Sequence, residues 1–365
     1  MDKKMLKIMG FVLGGFVILI IILVIIAACS KKKLDYNKLQ DTMVSAAKSY
    51  FQTKPDDLPK EDGDTRSVAL KKLISDGFME EPSKTYKNEE LVCDGSITVS
   101  NNNGYYLYSP SLTCGKDFKT QLLKDKIIDD SFVESGNGLY EVGDEYIYKG
   151  EVDNNFVRFP GQNKLFRIIR VNDDGTIRLI ETEGLENIQW DNRYNTMRTA
   201  ATGNNDYVYN NLNSRIKDAV KGYYNDSTIW PDQVKAYIIT QELCIGKRTD
   251  ADITKDGSTE CAVKIDNQQL GLLNVYEFMQ ASLDNNCTST RAIPCSNYNW
   301  FNSFKKRIWT VTADAGDTSK VYVLFKSISS SMCNNSYSAN AVFNISDKVT
   351  YVSGDGTAGN PYVFR

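Results

Sequence analysis

One stretch of the sequence limits the possible folds more than any other: residues 11–28 contain only apolar side chains and glycine. An apolar run of eighteen residues is long enough, as a helix, to cross most of the hydrocarbon core of a bilayer. We therefore predict a stub at residues 1–9 and a transmembrane anchor at residues 10–30. The chain as a whole is 24% charged and 41% hydrophobic, which is typical of a globular protein, so the remainder should fold in water.

The sequence contains no histidine. This absence excludes Ser-His-Asp and Cys-His catalysis and all histidine-ligated metal sites. The net charge of −3 provides no basic surface for nucleic acid. We expect no nucleic-acid partner, no cofactor and no metal site, and we predict that the protein is not an enzyme.

The orientation of the anchor follows from the cysteines. Three lysines lie close to the apolar run on each side, so the positive-inside rule does not orient it. After the anchor, six cysteines form local pairs, Cys93 with Cys114, Cys244 with Cys261 and Cys287 with Cys295. Such pairs are typical of disulfides in an oxidising compartment. We predict a single-pass protein of the cell membrane with an extracellular body.

Residues 26–29, Ile-Ala-Ala-Cys, leave a second possibility open for the anchor. They resemble the lipobox of bacterial lipoproteins, and this resemblance implies cleavage before Cys29 and acylation of its thiol. Against it, the apolar run is longer than a signal-peptide h-region, and residues 31–33 are lysines typical of a stop-transfer signal. Both alternatives place the body on the same outer face.

The region after the anchor predicts two helices and a hairpin. Tyr36, Leu39, Met43, Ala47 and Tyr50 recur at helical spacing, and residues 67–76 indicate a second helix. Residues 97–99 and 105–108 read as strands around an Asn-Asn-Asn-Gly turn at 101–104. That pairing would bring the first two cysteines of the body close to each other across the ladder.

These parts resemble the head of type IV pilin-like proteins over residues 34–118, and we assign residues 31–118 to this domain. The resemblance implies a small α+β head on a membrane-proximal helix. No Gly-Phe-Thr-x-x-x-Glu motif precedes the apolar run, so it does not imply polymerisation. An unrelated helix-and-hairpin spacer domain remains the alternative.

Residues 119–137 predict a linker that includes a short helix, and residues 138–365 predict an α+β domain with helices in the middle and strands at both ends. The segments 271–282, 308–313, 321–325 and 341–346 resemble, in order, the C-type-lectin-like domains related to formylglycine-generating enzymes. Glu277, Ala281 and Trp309 occupy matching positions. The enzyme's cysteine pair, five residues apart, has no counterpart, so the resemblance implies a fold more than an activity. The whole chain also resembles membrane-anchored surface proteins of Gram-positive-type bacteria.

Three sets of residues are candidates for a site. Residues 250–257 alternate oxygen ligands and end in glycine as a calcium loop does, but Val263 stands where a bidentate glutamate is needed. Asp191, Asp206, Glu242 and Glu277 are the candidates for a hydrolytic carboxylate pair. The third set is aromatic and lies in Asn-rich loops: Trp190, Tyr194, Tyr207, Tyr209, Tyr298, Trp300 and Phe301.

Sugar-binding surfaces combine aromatic rings with amides, so we predict ligand binding at Trp190, Tyr194, Tyr298, Trp300 and Phe301. Packing of these rings in the core is the common alternative. The predicted function is binding or adhesion, with a glycan, a cell-wall component or a surface protein as ligand. The alternatives are a carboxylate-dependent glycoside hydrolase and a subunit of a pilus-like or secretion assembly.

Overall fold

The structure, a computed structural model, describes residues 34–192 and 203–365, and these residues build two hydrophobic cores. The stub, the predicted anchor at residues 10–30, Cys29 and Tyr194 lie outside the described residues. Within the described ranges, no helix has both the length and the apolar character needed to cross a bilayer. The fold class is α+β, with more sheet than helix, as the sequence predicts.

The first core lies in a region that we call the head. Its elements are α1 (Tyr36–Thr53), β1 (Thr65–Ala69), α2 (Leu70–Ser75), α3 (Pro82–Thr85), β2 (Cys93–Asn102), β3 (Tyr105–Cys114) and β4 (Phe118–Lys119). The four strands form one antiparallel sheet in chain order. Helix α1 begins where the Asp35 side chain accepts a bond from the Lys38 backbone N–H, at 3.1 Å. It packs its apolar face, including Leu39 and Met43, into this core.

The β2–β3 hairpin explains the first disulfide. Asn103 and Gly104 both have positive φ, 56° and 85°, as a two-residue turn of type I′ requires. This turn is tighter than the one the sequence predicts, and it places Cys93 directly opposite Cys114. The three predicted disulfides are confirmed: Cys93–Cys114, Cys244–Cys261 and Cys287–Cys295.

The second core lies in a region that we call the body. Its first elements are α4 (Leu123–Ser131), β5 (Gly138–Val142), β6 (Glu145–Lys149), β7 (Phe156–Arg158), β8 (Phe166–Val171), β9 (Ile177–Glu181), β10 (Leu185–Gln189), β11 (Val208–Tyr209) and β12 (Leu212–Asn213). The middle elements are α5 (Arg215–Asn225), α6 (Asp232–Lys235), β13 (Ile238–Ile239), β14 (Gln241–Cys244), β15 (Lys247–Arg248), β16 (Lys264–Gln268) and α7 (Val275–Gln280). The last are β17 (Ile308–Asp314), β18 (Lys320–Phe325), β19 (Ser327–Met332), β20 (Ser336–Ala339), β21 (Val342–Ile345), β22 (Tyr351–Ser353) and β23 (Tyr362–Phe364).

Two large sheets organise the body. One runs β13-β21-β9-β8-β7-β23-β22, with β6 joined to β8 and β5 joined to β6. The other runs β10-β20-β17-β18-β19, with β15 added in parallel to β17. Strand β23 pairs with β7, so strands from the two ends of the segment meet, as the sequence predicts. Buried aromatic side chains, among them Phe166, Trp230 and Phe343, pack in this core.

The segment predicted as a linker, residues 119–137, belongs to the body instead. Leu123 and Ile127, one turn apart on α4, are fully buried in the second core. The Leu123 N–H also donates to the Val349 carbonyl at 2.9 Å. The linker prediction is wrong for α4, because the apolar face of this short helix packs into the core of the body.

Head and body contact each other through polar bonds. The Asn102 amide donates to the Ala236 carbonyl at 2.6 Å. Arg365 donates through Nη1 to the Asp41 carboxylate at 2.7 Å and through Nη2 to the Asn37 side chain at 2.5 Å. The first bond holds the end of β2 against the residue after α6, and the bonds of Arg365 hold α1 against the residue after β23.

Candidate functional site

The structure separates the aromatic residues that the sequence predicts as one ligand surface. Trp190, Trp300 and Phe301 are buried, with at most 2% of each residue exposed. The indole N–H of Trp190 donates to the Thr310 carbonyl at 3.2 Å, and that of Trp300 donates to the Tyr148 carbonyl at 3.1 Å. These three rings are part of the core, and the prediction that they bind a ligand is wrong because no ring face reaches solvent.

Tyr298 is the exception among the described members of that set. Its side chain is 57% exposed, and its φ of 46° is unusual for a bulky residue. It lies in a shallow depression with Asn297, Asn302 and Lys326. This depression keeps the predicted combination of a ring and amides, but with a single aromatic residue.

Three of the four candidate carboxylates form ion pairs, and the contacts of these three do not place them as a catalytic pair. Asp206 lies 2.8 Å from the Lys247 ammonium, and Glu242 lies 2.7 Å from that of Lys264. Asp191 is fully buried. A glycosidase needs one carboxyl group that stays protonated beside another that is ionised, and none of these contacts provides that.

Glu277 has a structural role instead. It forms a buried ion pair with Arg178, and Arg170 lies 3.7 Å away. Its side chain also accepts the Asn274 N–H at 2.8 Å, which completes a capping box at the start of α7. Burial alone would raise the pKa of Glu277, but the two arginines outweigh burial and hold that pKa below its ordinary value.

The calcium-like loop satisfies its own oxygens. Asp252 accepts bonds from Thr254 and Thr259, and Asp256 accepts from Ser258. Asp250 pairs with Arg291 at 2.8 Å. Across residues 34–192 and 203–365, no group of three or more Cys, Asp or Glu residues is arranged to hold a metal ion.

Cys333 is a buried free thiol. Burial raises its pKa to about 12, so it is protonated at neutral pH and is a poor nucleophile. It therefore contributes packing rather than reactivity to the body.

A cleft of about 590 Å³ lies where the head meets the body. We call it the amide–tyrosine cleft because six amide side chains and three tyrosines line it, together with two lysines and two aliphatic residues. The residues are Asn103, Asn213, Asn225, Asn267, Gln268, Gln269, Tyr105, Tyr207, Tyr224, Lys217, Lys221, Val220 and Leu270. No aspartate or glutamate is among these described lining residues.

Four parts of the fold supply this lining. The β2–β3 turn of the head contributes Asn103 and Tyr105. Helix α5 contributes one face, on which Lys217, Lys221 and Tyr224 recur at steps of four and three residues. The end of β16 and the two residues after it contribute residues 267–270. The remaining two residues, 207 and 213, come from the β11–β12 hairpin and the residue before it. The site is therefore formed only when head and body are in contact.

Two polar groups of the cleft have no partner among the described residues: the Tyr224 hydroxyl and the Asn103 amide nitrogen. Tyr224 is only 8% exposed, and the Lys235 ammonium lies 5.1 Å from its ring centroid. Burial raises the pKa of Tyr224 above its ordinary value, so the hydroxyl keeps its proton. A buried hydroxyl without a partner is unfavourable, and this one belongs to a residue that lines the cleft.

Chemically, the amide–tyrosine cleft offers donors, acceptors and ring faces but no carboxylate for acid–base chemistry. This arrangement suits binding of an uncharged, hydroxyl-rich surface better than bond cleavage. The sequence indicates only Tyr207 of this lining as a candidate. In the sequence, Asn103 and Tyr105 are recognisable only as part of a β-hairpin. Nothing in that pattern indicates that they also line the cleft.

Comparison with known proteins yields no match: no protein-family profile, no curated protein and no solved structure is significantly similar to this chain.

Proposed function

We propose that this protein is a membrane-anchored, surface-displayed binding protein that recognises a glycan, free or as part of a cell-wall component, in the amide–tyrosine cleft. The observation that carries the proposal is the unpartnered Tyr224 hydroxyl inside a cleft lined by amides and tyrosines and without a described carboxylate. Sugar hydroxyls both donate and accept, so they match amide side chains, and sugar C–H groups pack on tyrosine rings.

The proposed placement at the cell surface rests on residues 10–30 as the anchor and on the three disulfides of the body and head. Disulfides persist in oxidising compartments outside the cytosol. A retained helix and a lipoprotein acylated at Cys29 remain two forms of the same anchor. In either form the cleft would face the exterior.

The finer architecture is also part of the proposal. We infer a pilin-like head, supported by an 18-residue helix packed on a four-stranded antiparallel sheet. For the body we infer a C-type-lectin-like domain, supported by the pairing of its last strand, β23, with the early strand β7 and by the position of Glu277 on α7.

Binding is preferred over the two alternatives for specific reasons. Three of the four candidate carboxylates for a hydrolase, Asp206, Glu242 and Glu277, are engaged by lysines or arginines. A pilus-like assembly would need an exposed apolar face on α1, but the exposed positions of α1 include Asp41, Thr42, Ser45 and Lys48. The apolar side of α1 is already covered by the head sheet.

The test uses the full chain in mild detergent on an array of neutral and acidic oligosaccharides, followed by calorimetry with the best ligand. Tyr224→Phe removes only the unpartnered hydroxyl, and we expect affinity to fall about fivefold, as for the loss of one net hydrogen bond of ~1 kcal/mol. Asn103→Gly keeps the positive φ that the turn requires and removes the amide.

The matched control is Tyr140→Phe, which deletes a hydroxyl that bonds the Gly136 carbonyl and does not line the cleft. It should bind with unchanged affinity. The proposal fails if no oligosaccharide binds, or if binding is equally strong in wild type, Tyr224→Phe and Asn103→Gly. Release of shortened products during the assay would favour the hydrolase.

A further inference from the structure

A second cavity, of about 320 Å³, lies in the body and shares no described lining residue with the amide–tyrosine cleft. Phe156, Phe304 and Ile308 form an apolar wall, and the Arg167 guanidinium and Ser303 are polar groups of the lining. We call it the Arg167 cavity. Its apolar wall and single buried cation distinguish it chemically from the cleft.

Arg167 is almost completely buried, with 3% exposed. Its guanidinium carbon lies 4.6 Å from the centroid of the Phe156 ring and 4.5 Å from that of the Trp300 ring. Its N–H groups donate to the Asn155 side chain at 2.7 Å, to the Val152 and Trp300 carbonyls at 2.7 and 3.2 Å, and to Ser303 Oγ at 2.6 Å. These four bonds use four of the five N–H donors of an arginine, so one donor on Nη2 has no acceptor among the described residues.

All four acceptors are neutral, and this makes Arg167 unusual within the protein. The other buried arginines of the described chain each lie within 4 Å of a carboxylate: Arg170, Arg178, Arg248 and Arg365. Arg167 has no such ion pair, although Asp153 acts on it over a longer distance. Burial lowers the pKa of Arg167 to about 9, so the guanidinium is still charged at pH 7.

Burying a charge without a counter-charge is strongly unfavourable. The fold tolerates this at one arginine, and that arginine borders a cavity with room for a small molecule. An anion in the cavity would supply the missing charge and accept the remaining N–H. The Ser303 hydroxyl, which accepts from Arg167, keeps its own hydrogen to donate to the same anion.

We propose that the Arg167 cavity binds a small organic monocarboxylate, with its carboxylate on Arg167 and Ser303 and its apolar part against Phe156, Phe304 and Ile308. The residues at the rim of the cavity indicate that the ligand carries only one negative charge. Glu183 and Glu186 also line the cavity, and Glu186 is paired with Lys306 at 2.8 Å. These two glutamates would repel a ligand that carries further negative charges.

The test is ligand-observed NMR and thermal unfolding of the full chain with hexanoate and benzoate as probes. Hexanamide and benzamide are the neutral counterparts of the same shape, and benzenesulfonate reports whether any oxyanion suffices. We expect saturable binding and a rise in Tm for both carboxylates, at least tenfold weaker binding of the amides, and weaker binding of the sulfonate.

Three variants locate the site. Arg167→Lys should weaken carboxylate binding at least tenfold, because an ammonium cannot form the paired contacts of a guanidinium. Ser303→Ala, at an exposed position, removes one acceptor of Arg167 and the proposed hydroxyl donor, and it should weaken carboxylate binding about threefold. Lys116→Gln removes an exposed lysine that does not line the cavity, so it is the matched control and should change binding by less than twofold.

The proposal is overturned if neither carboxylate binds at 10 mM, if the amides bind equally well, or if Ser303→Ala and a folded Arg167→Lys bind like wild type. Should Arg167→Lys not fold, Ser303→Ala and the carboxylate–amide difference decide the matter. Tyr224→Phe should leave carboxylate binding unchanged, which separates this site from the glycan cleft.

Discussion

Two regions of the molecule combine aromatic residues with nearby asparagines. One is the amide–tyrosine cleft, and the other is a ring cluster formed by Trp300, Phe301 and Phe304. They differ in whether their polar groups have hydrogen-bond partners within the protein. In the ring cluster, Trp300 and Phe301 stack with centroids 3.7 Å apart, and the Trp300 indole N–H has a carbonyl partner. In the cleft, the Tyr224 hydroxyl has no partner among the described residues. The difference lies in whether the polar end of each ring is satisfied by the protein itself.

The asparagines differ in the same way. Asn299 is buried and donates to the Phe278 and Cys295 carbonyls at 2.8 and 2.9 Å, so it fixes the backbone beside the ring cluster. The Asn103 amide nitrogen in the cleft donates to no described group. Aromatic and amide composition alone is therefore no sign of a binding surface, whereas unsatisfied polar atoms beside open volume are.

The largest expected effect tests the ring cluster. Trp300→Ala should destabilise the protein by about 3–5 kcal/mol, because it removes a buried ring and leaves a cavity. Tyr298→Ala, two residues away and exposed, should change stability by less than about 1 kcal/mol. Urea unfolding of the two variants measures the contrast, and equal stabilities would mean that Trp300 is not a core residue.

A smaller effect distinguishes the buried carboxylate Glu277 of the core from the cleft, whose described lining contains no carboxylate. The pKa of Glu277 is lower in the folded protein than its ordinary value, so its ion pair contributes full stability above about pH 5 and loses it as pH falls through the folded-state pKa. Glycan affinity should stay constant from pH 5 to 7, because no described carboxylate lines the cleft.

The contribution of the Glu277 ion pair is measured from unfolding free energies between pH 3 and 7. Glycan affinity is measured by calorimetry between pH 5 and 7. Glu277→Gln should be less stable than wild type at pH 7 and should show a flatter acid dependence. If affinity instead falls steeply between pH 5 and 7, an ionisable group outside the described lining takes part in binding.

The smallest expected effect concerns the cleft itself. Tyr224→Phe should alter the free energy of unfolding by less than about 0.5 kcal/mol, or raise it slightly, because the deleted hydroxyl has no protein partner to lose. The same substitution at Tyr148, whose buried hydroxyl bonds Ser131 at 2.8 Å, should cost about 1 kcal/mol. A large loss of stability in Tyr224→Phe would show that its hydroxyl is satisfied in solution.

Much of the fold could be predicted from local patterns. The apolar face of α1, the Asn-Gly hairpin turn and the three local cysteine pairs each depend on residues close in sequence, and the structure contains all of them. The second predicted helix is correct only in part, because residues 67–69 belong to β1, where they pair with β2. Pairing with a neighbouring strand outweighed their helical spacing.

The candidate site could not be predicted in the same way. Asn103 on the head hairpin and Asn267 near the end of β16 line one cleft although they lie far apart in the sequence. The burial of Trp300 likewise depends on β6, which supplies the carbonyl of Tyr148. A loop rich in asparagine and aromatic residues has the same local pattern whether it faces solvent or another element, and only tertiary contacts decide between them.

The shared construction of the amide–tyrosine cleft links ligand occupancy to mechanical behaviour. A ligand that touches both the β2–β3 turn and α5 adds its binding free energy to the bonds of Asn102 and Arg365 across the same boundary. Force applied to a polymer bound in the cleft would therefore act on the head and the body at the same time. If the cleft holds the proposed ligand, separation of the two regions would also take its binding site apart.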